Sequence, residues 1–90
     1  MTDFEGQVAV VTGAGRGIGR EIARRFASAG ATVVCTDVMD LGETVDSING
    51  DFDGKASGVV FDVTDGDAAA AAVKEIHGEH GRIDILVNNA

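Results

Sequence analysis

Four glycines and a threonine fall within eight residues, Thr12-Gly13-Ala14-Gly15-Arg16-Gly17-Ile18-Gly19, and carry the strongest chemical signal in the chain. Glycine lets a backbone turn tightly and lets an anion reach its amides with no Cβ in the way. The apolar run Val8-Ala9-Val10-Val11 precedes them and reads as a buried strand. Ile18, Ile22 and Phe26 then recur four apart, with Ala23 and Ala27 beside them, as the buried stripe of a helix. The glycines therefore stand where a strand turns into a helix start, whose unpaired amides and dipole favour an anion. Phosphate binding is the chemistry implied; the alternative is a glycine-rich turn without a ligand.

Spacing selects among phosphate loops. A triphosphate P-loop needs Gly-Lys-Ser/Thr after its first glycine, and no Gly-Lys pair occurs in the sequence. Strict G-x-G-x-x-G fails as well, because its third glycine would fall on Ile18 or Arg20. T-G-x-x-x-G-x-G fits, with Thr12, Gly13, Gly17 and Gly19. Asp37 follows Gly19 by 18 residues, near the ~20-residue spacing at which an acid meets an adenosine ribose. A carboxylate there accepts from both ribose hydroxyls; the alternative is an ordinary strand-end aspartate.

At these residues the chain resembles the short-chain dehydrogenase/reductase (SDR) family, and the resemblance covers essentially its whole length. It implies that Asp62-Val63-Thr64-Asp65 lies along an adenine, with Asp62 meeting the amino group and the Val63 amide a ring nitrogen. Asn88-Asn89-Ala90 looks like the start of the family's Asn-Asn-Ala-Gly, which flanks the cofactor ribose and steadies the sheet. A strand-end turn remains the plainer account of Asp62 and of Asn88. The expected cofactor set is thus Thr12, Gly13, Gly15, Arg16, Gly17, Ile18, Gly19, Asp37, Asp62, Val63, Asn88, Asn89 and Ala90. Arg16 in the loop is seen in relatives that prefer NADP, whereas Asp37 would repel a 2′-phosphate, so NAD is expected over NADP. The family's catalytic serine, tyrosine, lysine and further asparagine lie beyond the segment present, and the chain has no tyrosine. No catalytic residue is assigned.

Positioning these groups requires alternating strands and helices. Gln7 to Thr12 reads as a strand, Gly17 to Ala29 as a helix capped by Gly30, and Thr32 to Thr36 as a strand ending at Asp37. The first helix should turn Arg20, Glu21, Arg24 and Arg25 to solvent, with Glu21 and Arg25 pairing across one turn. A weaker helix spans Leu41 to Ile48, with Leu41, Val45 and Ile48 on one face, and Asn49 to Gly54 reads as a polar turn. Ser57 to Phe61 is a third strand. Thr64 starts a helix with Ala69, Val73 and Ile76 inside; Gly81 ends it, and Ile83 to Val87 is a fourth strand. The class is α/β: a Rossmann-like doubly wound parallel sheet, first half only, β-α-β-α-β-α-β.

Composition agrees with a globular domain, or part of one: 90 residues, 44% hydrophobic, 24% charged and no proline. The net charge is −8, with four of seven basic residues (Arg16, Arg20, Arg24, Arg25) in or just after the glycine loop, which argues against nucleic acid. Cys35 is the only cysteine, so no internal disulfide forms, and it reads as a small core residue. His77 and His80 read as a solvated helix end rather than a metal site, and Glu75, Glu79 and Asp84 as a solvated face. No signal-peptide pattern or membrane-length apolar run is present, so a cytoplasmic location is expected. The resulting expectation is the NAD-binding half of an SDR oxidoreductase acting on a small alcohol/carbonyl pair, homo-oligomeric when complete and cut after the fourth strand. These 90 residues alone should be inert, marginally stable and bare on the face of the last helix. The alternative is a stand-alone, non-catalytic dinucleotide-binding or regulatory module.

Overall fold

The computed structural model describes residues 3–52 and 55–89. Its elements are β1 (Val8–Thr12), α1 (Gly17–Ser28), β2 (Thr32–Asp37), α2 (Gly42–Asp51), β3 (Ala56–Val60), α3 (Gly66–His80) and β4 (Ile85–Val87). All strands are parallel, in the order β3-β2-β1-β4. The chain steps outward from β1 to β3, then crosses back to place β4 on the other side of β1. Right-handed crossovers in opposite directions put α1 and α2 on one face and α3 on the other. The reversal lies between β1 and β4, and in open α/β sheets ligands bind outside the strands' carboxyl ends at such a point.

Alternation along the strands makes two cores. Ala9, Val11, Val33 and Cys35 pack with Ala14, Ala23, Ala27, Leu41 and Ile48 beneath α1 and α2. Val8, Val10 and Val34 point the other way, against Ile76 of α3. The first core uses alanines at the helix contact, so α1 lies close to the sheet and its glycines reach the β1 terminus. The second face carries only α3 among the described elements. Leu86, in register with Val10, is 67% exposed, and Val73 of α3 is 54% exposed. Val73 was expected inside; Ala72 and Ile76 take that place, because α3 meets the sheet along a single narrow line.

Other differences follow from packing. Ile18 is 74% exposed, and the buried residues of α1 are Gly19, Ala23 and Ala27, with Ile22 and Phe26 partly buried. The first turn of α1 overhangs the carboxyl edge of the sheet, so its apolar side chain has no wall to meet. Arg20 and Arg24 are only partly turned to solvent. Arg20 pairs with Glu43 at 3.3 Å, while Arg24 donates to Asp51 and Ser47, both at 2.6 Å, and lies over the Phe52 ring. These two arginines bind α1 to α2. Glu21 and Arg25 do pair, at 3.4 Å.

α2 runs on to Asp51, through part of the expected turn, and Asp53 and Gly54 lie outside the described residues. Asn49 brackets Ala56 with two hydrogen bonds, giving the start of β3 partners that a sheet edge lacks. The cap of α3 falls one residue later than expected. It is Asp65, whose carboxylate accepts from the Asp67 and Ala68 amides, whereas the Thr64 hydroxyl and amide donate to Asp62. Gly30 follows α1 with φ +98°, as a helix-ending glycine should.

Candidate dinucleotide-binding edge

The carboxyl ends of the four strands bring the expected residues into one line: Asp62 after β3, Asp37 on β2, the glycine loop after β1, and Asn88 and Asn89 after β4. Residues distant in sequence become neighbours because every strand points the same way. Thr12 ties the middle of this line. Its hydroxyl lies 3.2 Å from the Val87 carbonyl and 3.4 Å from the Asn88 side-chain oxygen, and accepts from the Asn89 amide at 2.9 Å. Asn89 in turn donates to the Gly13 carbonyl at 3.5 Å. Ala90 lies outside the described residues.

The loop glycines divide their work. Gly13 and Gly17 have φ of +65° and +61°, which side chains rarely adopt. A Cβ on Gly19 would run into the Gly13 carbonyl and the Asn89 side-chain Nδ2, so this glycine lets α1 dock on the end of β1. A Cβ on Gly15 would stand 2.6 Å from Met39 Cγ and 2.8 Å from Asp37 Oδ2. A Cβ on Gly17 would meet nothing, so the mouth of the helix opens to space.

That mouth is bare. The N-cap residue of α1 is Arg16, in extended conformation, with no side-chain cap and no acid in the first turn. The first amides of the helix therefore keep their donors outward, with the positive end of the dipole behind them. Arg16 is exposed and adds positive charge to the same place. Such a terminus suits an anion, and the open space at Gly17 admits a phosphate-sized group.

Asp37 is fixed rather than free. One carboxylate oxygen accepts from the Gly15 amide at 2.8 Å and the other from the Val38 amide at 2.7 Å. Each oxygen retains a lone pair for an outside donor. Asp62 is exposed, and its Thr64 hydrogen bonds, the hydroxyl before the amide, hold its carboxyl below the usual carboxylate range. Val63 beside it is exposed.

Three contributors went unread in the sequence. Thr44 of α2 is 1% exposed and its hydroxyl reaches the Ala14 and Gly15 carbonyls at 3.1 and 3.2 Å. Met39 packs on Gly15. Thr36 accepts the Ala14 amide on its carbonyl at 3.0 Å. Thr44 left one signal: it is a hydroxyl on the stripe of Leu41, Val45 and Ile48, where a polar side chain needs a partner.

Asp84 is exposed, as expected, but its carboxylate is engaged. It accepts from the Val8 amide at 2.8 Å and from Arg82, and these bonds, the arginine's first, depress its pKa. It locks β4 to β1 at the edge opposite the site. Cys35 is buried, which pushes its thiol up to about 11. No group of three His, Cys, Asp or Glu suited to a metal occurs among the described residues, nor any helix long and apolar enough to cross a membrane.

Known proteins share this fold. At 48% identity, 98% of the chain aligns with 9% of the peroxisomal hydratase-dehydrogenase-epimerase of Neurospora crassa. At 41% identity, 98% of it aligns with 35% of the 3-oxoacyl-(acyl-carrier-protein) reductase FabG of Escherichia coli. The chain thus spans about a third or less of the curated relatives it matches. A metagenomic short-chain oxidoreductase crystallised with NADP superposes with TM-score 0.90 at 47% identity, over 97% of this chain and 40% of that one. Carveol dehydrogenase from Mycobacterium avium, in complex with NAD, gives 0.91 at 33% identity over 100% and 37%. The family pattern described as short chain dehydrogenase matches residues 7–90, and the chain belongs to that family.

Proposed function

We propose that this chain holds a nicotinamide adenine dinucleotide for a short-chain oxidoreductase that interconverts an alcohol and a carbonyl. The observation that carries the reading is the uncapped start of α1, open at Gly17, one strand away from a carboxylate pinned to the same loop. The pyrophosphate would sit on the amides of residues 17–19, the adenosine ribose against Asp37, and the adenine between Asp62 and Val63. Asn88, Asn89 and Ala90 would flank the second ribose. When bound, the dinucleotide supplies the hydride acceptor or donor.

NAD is the preferred form in this reading. A 2′-phosphate about 4 Å from the Asp37 carboxylate would be repelled by about 4 kcal/mol per charge at intermediate dielectric. Arg16 on the exposed loop offsets only part of this, since exposed ion pairs contribute about 0–1 kcal/mol. The 47%-identical relative was crystallised with NADP, so NADPH is the competitor to test. Fluorescence titration with NADH and NADPH tests both levels. Tighter NADH binding is expected; tighter NADPH binding overturns the preference, and no binding of either overturns the function.

The 90 residues contain no tyrosine to serve as the family's acid/base, so the segment by itself should bind without turnover. Reduction of NAD by simple secondary alcohols in its presence would refute that.

A further inference from the structure

We infer that Thr44 is a positioning residue: from α2 it presets the phosphate loop in its binding shape before any ligand arrives. This rests on the dinucleotide reading above and goes beyond it, because Thr44 lies outside the loop and touches only its backbone.

Every backbone donor and acceptor of Ala14 and Gly15 has a partner. The Ala14 amide donates to the Thr36 carbonyl and the Gly15 amide to Asp37. Both carbonyls, Ala14 and Gly15, face the single hydroxyl of Thr44, whose proton they share. Two strand residues thus fix the donors while one helix residue fixes the acceptors. Thr44 has no freedom to do otherwise, being fully buried on the stripe that anchors α2 to the sheet between Leu41 and Ile48. α2 is itself clamped to α1 by Arg20–Glu43 and Arg24–Asp51, so the hydroxyl is carried on a fixed support.

The physical consequence concerns the direction of the following amides. Orienting the Ala14 and Gly15 carbonyls toward α2 fixes the peptide planes that carry the Gly15 and Arg16 amides, immediately before Gly17, where the anion site begins. A loop already in place loses little conformational entropy on binding, whereas a loop that must be ordered subtracts that cost from affinity. Without the hydroxyl, two inward-facing carbonyls lose their partner and the loop must turn them elsewhere.

The test uses the full chain and NADH as probe. Thr44→Val removes the hydroxyl at nearly constant shape; Thr44→Ser keeps it. Thr44→Val is expected to raise the NADH Kd roughly tenfold, as loss of one shared hydrogen bond to a preset loop would, while Thr44→Ser restores it to within about twofold of the parent. Equal affinities in Thr44→Val and the parent would overturn the inference, as would a Thr44→Ser variant no better than Thr44→Val. If Thr44→Val does not fold, Thr44→Ala replaces it in the same titration, with Thr44→Ser again as the rescue, and parent-like NADH affinity in Thr44→Ala sinks the proposal. A parent that binds no dinucleotide would instead refute the functional reading.

Discussion

Two helices leave the same edge of the sheet and begin in opposite ways. α3 starts at Asp65, whose carboxylate closes the Asp67 and Ala68 amides, with Asp67 adding negative charge in the first turn. α1 starts at Arg16 with no cap and no acid. Side-chain caps contribute about 1 kcal/mol and a basic residue at a helix start costs a few tenths to 1. α1 therefore forgoes stabilisation that α3 takes. A start left open beside fixed glycines is what a ligand-binding terminus needs, and a start closed by its own aspartate is what a structural helix needs.

The most damaging change would be at the junction that seats α1. Gly19→Val drives a side chain into the Gly13 carbonyl and Asn89, and should destabilise the protein by about 3 kcal/mol or more while abolishing NADH binding. Denaturant melts and NADH titration read the two effects. Asp37→Ser comes next: losing a charged acceptor should weaken NADH about tenfold and narrow the gap to NADPH. Paired titrations measure it, and an unchanged ratio of affinities would mean the carboxylate does not face the ribose.

Arg16→Asp would make α1 imitate α3. It should raise the melting temperature by a few degrees, since a cap is gained, yet weaken NADH binding through repulsion of the pyrophosphate. The reverse experiment, Asp65→Ala, should cost about 1 kcal/mol of stability and leave NADH affinity as it was. Should Arg16→Asp improve both, the contrast between the two helix starts carries no functional meaning.

The smallest effect belongs to the far edge. The folded pKa of Asp84 lies below its unfolded value of about 3.9. The carboxylate's stabilisation is therefore complete well above that value and is lost as pH falls through the folded pKa. Asp84→Asn should melt earlier than the parent at pH 7, and the two should converge once the pH has fallen below the folded pKa of Asp84. A constant difference across that range would remove the ionic lock from the account.

Much was legible without coordinates. The strand–glycine–helix junction, the parallel βαβ order and the strand-end aspartate follow from local chemistry, because glycine spacing and hydrophobic period act over a turn or two of chain. Boundaries were less so: Thr64 and Asp65 are both capable caps, and only the Asp62–Thr64 hydrogen bonds take Thr64 out of contention. Ile18 and Val73 sit at apolar helical positions, but whether a wall stands opposite them depends on elements far along the chain. Arg20 and Arg24 read as solvated for the same reason, since their partners are 23 and 27 residues away, and the Val8 amide that Asp84 accepts from is 76 residues away.

What the residues alone determined is the kind of site: bare amides behind glycines, an acid after the next strand, and a parallel sheet to align them. What only the tertiary structure decided is how that site is held, with the Asp37 carboxylate on the Gly15 amide and the Thr44 hydroxyl on two loop carbonyls. Local sequence sets which groups a turn can offer. Long-range packing sets which way those groups point, because a buried polar atom must find its partner wherever the fold has brought one.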